Sequence, residues 1–172
     1  MSTHTLLTIG AFMILTSVLL GFYNLLASTG DDVGNAQEMI LATTIATSYA
    51  ELAQGLAFDE VTDTTHVPLT SFSTLTPGGS LGPEKSTEDS IQRFNDFDDF
   101  NGYKAEQSAF GTDRRFTTEF TVYYVDPDDI ECYSAGPTYV KRLDLITYRS
   151  YPTGGRIDTL RLSVTMGYFH FD

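Results

Sequence analysis

The chain contains no tryptophan, one cysteine, Cys132, and no Asp, Glu, Lys or Arg ahead of Asp31. A lone cysteine excludes an intrachain disulfide, so the fold must hold by its core even in an oxidising compartment. The expectation for Cys132 is a plain buried side chain, with pairing between chains as the less common alternative. Basic residues are scarce: 10 Lys and Arg face 23 Asp and Glu, a net charge of −13 over 172 residues. That balance excludes the basic footprint of a nucleic-acid-binding protein and adhesion to an anionic lipid surface. The acids are spread along the chain, so solubility in salty surroundings accounts for them.

Catalytic patterns are missing as well. His4, His66 and His170 share no metal-ligand spacing with one another or with Cys132. The one G-x-S-x-G string, Gly78-Gly79-Ser80-Leu81-Gly82, stands between Pro77 and Pro83 in loop composition and not in the strand-to-helix turn that exposes a nucleophile, and no Gly-rich piece has the G-x-x-x-x-G-K pattern of a phosphate cradle. The expectation is a protein without enzymatic activity and without an organic cofactor.

What the first 30 residues do have is apolar length. Leu6 to Ala27 is a run of 22 residues diluted only by Thr, Ser, Gly, Tyr and Asn24. A helix needs roughly 20 such residues to cross about 30 Å of hydrocarbon. A cleaved signal peptide has a basic n-region and a shorter apolar core, and a core helix so uniformly apolar is unusual in a chain of this size. Residues 1–28 are therefore read as a transmembrane anchor helix. No Lys or Arg flanks it, so orientation rests on the short leading segment. The simplest topology keeps that segment inside and translocates the rest, giving a single-pass membrane protein. Gly10, Ala11, Ser17 and Gly21 are small enough to let another helix approach, and Asn24 is placed to hydrogen-bond across a helix interface or toward headgroups.

Beyond an expected break at Ser28–Asp32, helical periodicity returns. Ala42, Ile45, Tyr49, Leu52 and Leu56 form an apolar stripe at steps of three and four, flanked by Met39 and Ala46. The pattern predicts an amphipathic continuation over 29–60, ending near Phe58. Residues 61–172 make a soluble acidic domain that opens with a long Thr-, Ser-, Gly- and Pro-rich loop at 62–88. Period-two patterning then predicts strands over Phe116–Tyr124, Tyr139–Tyr148 and Ile157–Phe171. Pro152-Thr153-Gly154-Gly155 turns the last two into an antiparallel hairpin. The fold class is α+β: a long N-terminal helix packed on a C-terminal antiparallel β-sheet. Arg114-Arg115 and Lys141-Arg142 are the only basic pairs, and they are read as strand-edge charges that meet nearby acids or deter edge association.

One cluster suggests metal chemistry. Asp96, Asp98, Asp99 and Asn101 stand close together, but as an EF-hand the string fails, because positions five and twelve would be Phe100 and Gln107. Two readings remain: a turn whose side chains bond local backbone, which is preferred, or a looser Ca²⁺ site, with Asp126, Asp128 or Asp129 as further donors.

The apolar helix, its amphipathic continuation and the C-terminal sheet together resemble type IV pilin-like proteins, which include minor pilins and the pseudopilins of type II secretion. The run from Ala46 to Glu60, ending Phe58-Asp59-Glu60, and the segment Asn95-Asp-Phe-Asp-Asp-Phe-Asn-Gly-Tyr103 are similar to stretches of MSHA-type minor pilins. The resemblance implies a structural role: anchoring in the inner membrane with the soluble domain in the periplasm or outside the cell, and assembly through the N-terminal helix with other pilin-like subunits or membrane-complex proteins. It also brings the family's N-terminal processing and methylation into consideration. Gly10-Ala11-Phe12 has no basic residue before it, and Leu15 stands where the family places a Glu. Those departures favour a non-polymerising or accessory component over a repeating filament subunit. The alternative is a membrane-tethered binding domain, or a subunit of a larger membrane complex, that forms no filament.

Overall fold

The computed structural model describes residues 3–64, 69, 71–109, 111, 113–153 and 159–169. His66, His170, Gly154-Gly155 of the expected turn and the ends of the strand expected over 157–171 lie outside the described residues. The chain divides into two compact units, residues 1–39 and 40–172.

A helix, α1, runs from Thr3 to Gln54. Its portion in the first unit contains an 18-residue window of mean hydropathy 2.1 in which no residue is buried. Leu7, Phe12, Met13, Ile14, Leu19 and Tyr23 all stand exposed along it. Such a helix is long and apolar enough to serve as a transmembrane anchor. The polar side chains within it turn back on the helix: Thr16 Oγ1 donates to Phe12 O at 2.8 Å and Ser17 Oγ to Met13 O at 2.9 Å.

The break expected at Ser28–Asp32 is absent, and helix continues through Gly30 and Gly34. A glycine in a helix costs only about 1 kcal/mol relative to alanine, and Thr29 Oγ1 caps its own turn by donating to Leu25 O at 2.8 Å. The helix stops at Gln54 instead of Phe58: the Gly55 N–H closes the last turn on Glu51 O and Leu52 O at 3.2 and 3.1 Å.

The second unit holds the sheet. Its strands are β1 (Lys104–Ser108), β2 (Arg115–Asp126), β3 (Asp129–Tyr133), β4 (Val140–Tyr151) and β5 (Thr159–Gly167), all antiparallel, in the order β1-β2-β4-β5 with β3 folded back on the end of β2. The expected long strands and the β4–β5 pairing are present. Strands β1 and β3 add to them. Only Ala105 is buried in β1, and β3 is exposed throughout, so neither shows the alternation that marks a half-buried strand.

The inward face of the sheet follows the register. Phe120 stands opposite Leu145, Val122 opposite Leu143 and Tyr124 opposite Lys141, all buried. Against this face lies the α1 surface of Ala42, Ile45, Ala46, Ala50 and Ala53. Alanines let helix and sheet backbones approach, and Tyr49 packs edge-on against Phe120 with ring centroids 5.3 Å apart. The expected stripe is corrected at two places. Leu52 is 43% exposed, because successive helical residues point about 100° apart and Ala53 takes the inward position. Leu56 lies past the helix end, half-buried against the core.

Two further expectations change. Cys132 is exposed on β3. Lys141 is no edge charge: β4 is flanked by β2 and β5, and the Lys141 side chain is fully buried on the inward face.

Candidate functional site: a buried acidic centre

Three segments meet beside the buried end of β4. The turn after α1 brings Phe58, Asp59 and Glu60, where Asp59 caps the short helix α2 (Glu60–Thr64) by accepting from the Val61 N–H at 3.3 Å. The segment 95–101 follows, tied to that turn by the Ala57 N–H donating to Asn95 O at 3.2 Å and the Phe97 N–H to Ala57 O at 2.8 Å. Phe97 and Phe100 are both fully buried and anchor this segment in the core. The third is the long loop, which is no free excursion: Leu75, Leu81 and Glu88 are buried in it. It delivers Thr76 on one side and Glu84, Lys85 and Glu88 on the other.

The inner part of the centre holds a buried counter-charge. Lys141 Nζ donates to Phe58 O and to Asp59 Oδ2, each at 2.8 Å, and to Asp98 Oδ1. It sits 4.7 Å from the centroid of the Phe58 ring and 5.3 Å from that of Tyr124. Asp59 also accepts from the Thr76 N–H at 3.1 Å and from the Tyr124 hydroxyl at 3.3 Å. Burial by itself raises the Asp59 carboxyl, but the Lys141 ammonium and the N–H donors outweigh it and hold the group below its usual range. For Asp98 burial wins, and its pKa is raised despite Lys141.

The outer part is not matched. Asp96 Oδ1 accepts from the Asp98 and Asp99 N–H groups at 2.9 and 3.2 Å. Asp99 Oδ2 accepts from those of Asn95 and Asp96 at 2.9 and 3.3 Å. These bonds fix both carboxylates and leave Asp96 Oδ2 and Asp99 Oδ1 without a hydrogen-bond partner among the described residues, together with Asp98 Oδ2 and Asn95 Oδ1. Asp96, Asp98 and Asp99 are each 0% exposed. Burial, then the neighbouring Asp98 and Asp99 charges, push the Asp96 carboxyl up to about 9. Glu84 reaches solvent at the edge of the group; partial loss of hydration and the Asp98 charge raise it to about 7.

The carboxylates converge in two overlapping sets. One oxygen each from Glu60, Glu84 and Asp96 lie within 4.8 Å of one another, and the same holds for Glu84, Glu88 and Asp99. Lys85 lies on the solvent side, with Nζ 2.6 Å from Glu60 and 3.2 Å from Glu88.

Of the four residues singled out in sequence as metal candidates, Asp96 and Asp99 face these sets, while Asp98 spends one oxygen on Lys141. Asn101 is scaffold: its Nδ2 donates to Leu81 O and its Oδ1 accepts from the Val122 N–H, both at 3.0 Å. Asp126 and Asp129 bond the backbone of their own exposed turn, accepting from the Asp128 and Glu131 N–H groups at 2.9 and 3.2 Å, and no residue of that turn joins either set. Asp59, Glu60, Glu84, Glu88 and Lys141 complete the centre without having been anticipated. One signal for Lys141 was available. It shares strand parity with Leu143 and Leu145, which places it on the inward face.

Gly10, Ala11, Ser17 and Gly21 lie on the portion of α1 in the first unit, half-buried at Gly10 and exposed at the other three. No protein-family model matches the chain, and neither a curated protein nor a solved structure proves similar to it.

Proposed function

We propose that this chain is a pilin-like, membrane-anchored structural protein that works by assembly and not by catalysis, as a minor or accessory component of a type IV pilus or of a type II secretion-like assembly. The observation that carries the reading is the character of α1. One helix begins with an unburied apolar stretch of mean hydropathy 2.1 and ends with an alanine face against an antiparallel sheet. A helix that exposes Leu, Phe and Met on every side suits lipid or neighbouring helices. Gly10, Ala11, Ser17 and Gly21 are the positions at which another helix approaches. The soluble unit then stands on the far side of the inner membrane, in the periplasm or at the cell exterior.

The test is the intact mass and N-terminus of the protein from its native membranes, measured beside the sheared surface fraction. Resistance to alkaline extraction and co-isolation with other anchored subunits are the expected results. A cleaved, N-methylated terminus near Ala11 in sheared filaments would make it a filament subunit despite Leu15. Recovery in the soluble fraction would overturn the anchor and the assembly reading together.

A further inference from the structure

We propose that Glu60, Glu84, Glu88, Asp96 and Asp99 form a binding site for a hard divalent cation, and that the ion is Ca²⁺. Two independent observations converge on it. The first is the pair of carboxylate sets that share Glu84, each with three oxygens within 4.8 Å of one another. Two oxygens at about 2.4 Å from one ion stand at most about 4.8 Å apart, so each set already has the spacing of a ligand sphere. The second is that Asp96 and Asp99 are fully buried, yet each keeps one oxygen with no hydrogen-bond partner among the described residues. A buried carboxylate oxygen left unpaired is costly. These two are also held in place, because the opposite oxygen of each is fixed by two backbone N–H groups.

The donor chemistry selects the ion. The sets consist of carboxylates alone, with no His or Cys, which excludes the softer ligand shells of zinc and copper. Ca²⁺ accepts six to eight oxygens in flexible geometry, whereas Mg²⁺ demands a near-ideal octahedron and keeps its waters. Five carboxylates from a helix-end turn, a loop and the segment 95–101 suit the former. Exposed Glu84 opens the site to solvent. Lys85, its side chain 51% exposed, bridges Glu60 and Glu88 from outside and can swing clear on its flexible stem. The inner pair Asp59 and Asp98 is excluded from the primary ligands because Lys141 already bonds an oxygen of each.

The experiment titrates CaCl₂ and MgCl₂ into the full chain in detergent micelles, after treatment with chelator, reading heat and thermal unfolding. We expect saturable Ca²⁺ binding that raises Tm, and weaker binding of Mg²⁺. Glu84→Gln and Asp96→Asn should each weaken the Ca²⁺ midpoint by about tenfold or more, since even outer-shell partners of a metal are worth roughly 10–100-fold. Glu84 is exposed, so that variant folds even if Asp96→Asn does not. Asp128→Asn, in the β2–β3 turn, should leave the midpoint unchanged. Absence of a saturable Ca²⁺ effect overturns the site, as does an effect that Glu84→Gln does not weaken. Tighter binding of Mg²⁺ than of Ca²⁺ overturns the choice of ion.

Discussion

The inner and outer parts of the acidic centre are built from the same residue type and behave in opposite ways. Inside, Asp59 and one oxygen of Asp98 meet the Lys141 ammonium, with the Phe58 carbonyl and two aromatic rings completing its surroundings. Outside, Asp96 and Asp99 are equally buried, but backbone N–H groups satisfy only half of each carboxylate. The difference lies in where the counter-charge comes from. A central strand carries Lys141 to the inner acids, whereas Lys85 meets Glu60 and Glu88 of the outer group from the protein surface. Lys141 ties the helix-end turn and the segment 95–101 to the sheet.

The largest expected effect comes from breaking the matched side. Lys141→Met leaves Asp59 and Asp98 buried without a counter-ion, which should cost about 3–5 kcal/mol, read by denaturant unfolding. Adding Asp98→Asn to that background removes one of the stranded charges and should recover part of the loss. If Lys141→Met is neutral, the pairing does not hold these segments together.

Acidity separates the two sides next. The Asp96 carboxyl, normally near 3.8, stands at about 9 in the folded protein, and Glu84, normally near 4.5, stands at about 7. Between the unfolded and folded values the native state holds a proton that the unfolded state has released, so stability falls as pH rises. For Asp59 the folded value is depressed, so its contribution is present above about pH 3.8 and is lost as pH falls below that. In chelator, Tm should therefore be highest near pH 4–5, just above the usual carboxylate range, and should decline toward pH 9. A Tm that rises steadily from pH 5 to 8 would mean that the outer acids are not protonated.

This contrast also shows what could be read from the amino acids alone. Alternation located β2, β4 and β5, because each buries one face of a sheet. It gave no sign of β1, whose Lys, Glu, Gln and Ser are exposed. Helical periodicity found the packed end of α1, with Ala42 and Ala46, but favoured bulky Leu52 over Ala50 and Ala53, although close approach to a sheet selects small residues. Asp96, Asp98 and Asp99 were visible as a local cluster. Glu84 and Glu88 were not, since a Thr-, Ser- and Pro-rich loop has no period from which to infer where it returns.

The outer side can be relieved one carboxyl at a time. Asp96→Asn removes a buried carboxyl with an unpartnered oxygen while keeping an acceptor for the Asp98 and Asp99 N–H groups. In chelator this should stabilise the fold by about 1–3 kcal/mol, the range for an unsatisfied buried polar group. With saturating Ca²⁺ the sign should reverse, because the variant gives up a ligand.

The smallest effect belongs to Glu84→Gln. Its exposed side chain is shared by both carboxylate sets yet buries little, so in chelator the change should be within about 0.5 kcal/mol, in the stabilising direction. The same substitution should nevertheless remove most of the stability gained on adding Ca²⁺, since only in the bound state does Glu84 join the two sets through one ion. A residue nearly silent in one condition and influential in the other separates a ligand from a structural acid. Lys141→Met should behave in the opposite way, costing about 3–5 kcal/mol with or without the ion. Equal losses for both variants in both conditions would erase the division between the inner and outer acids.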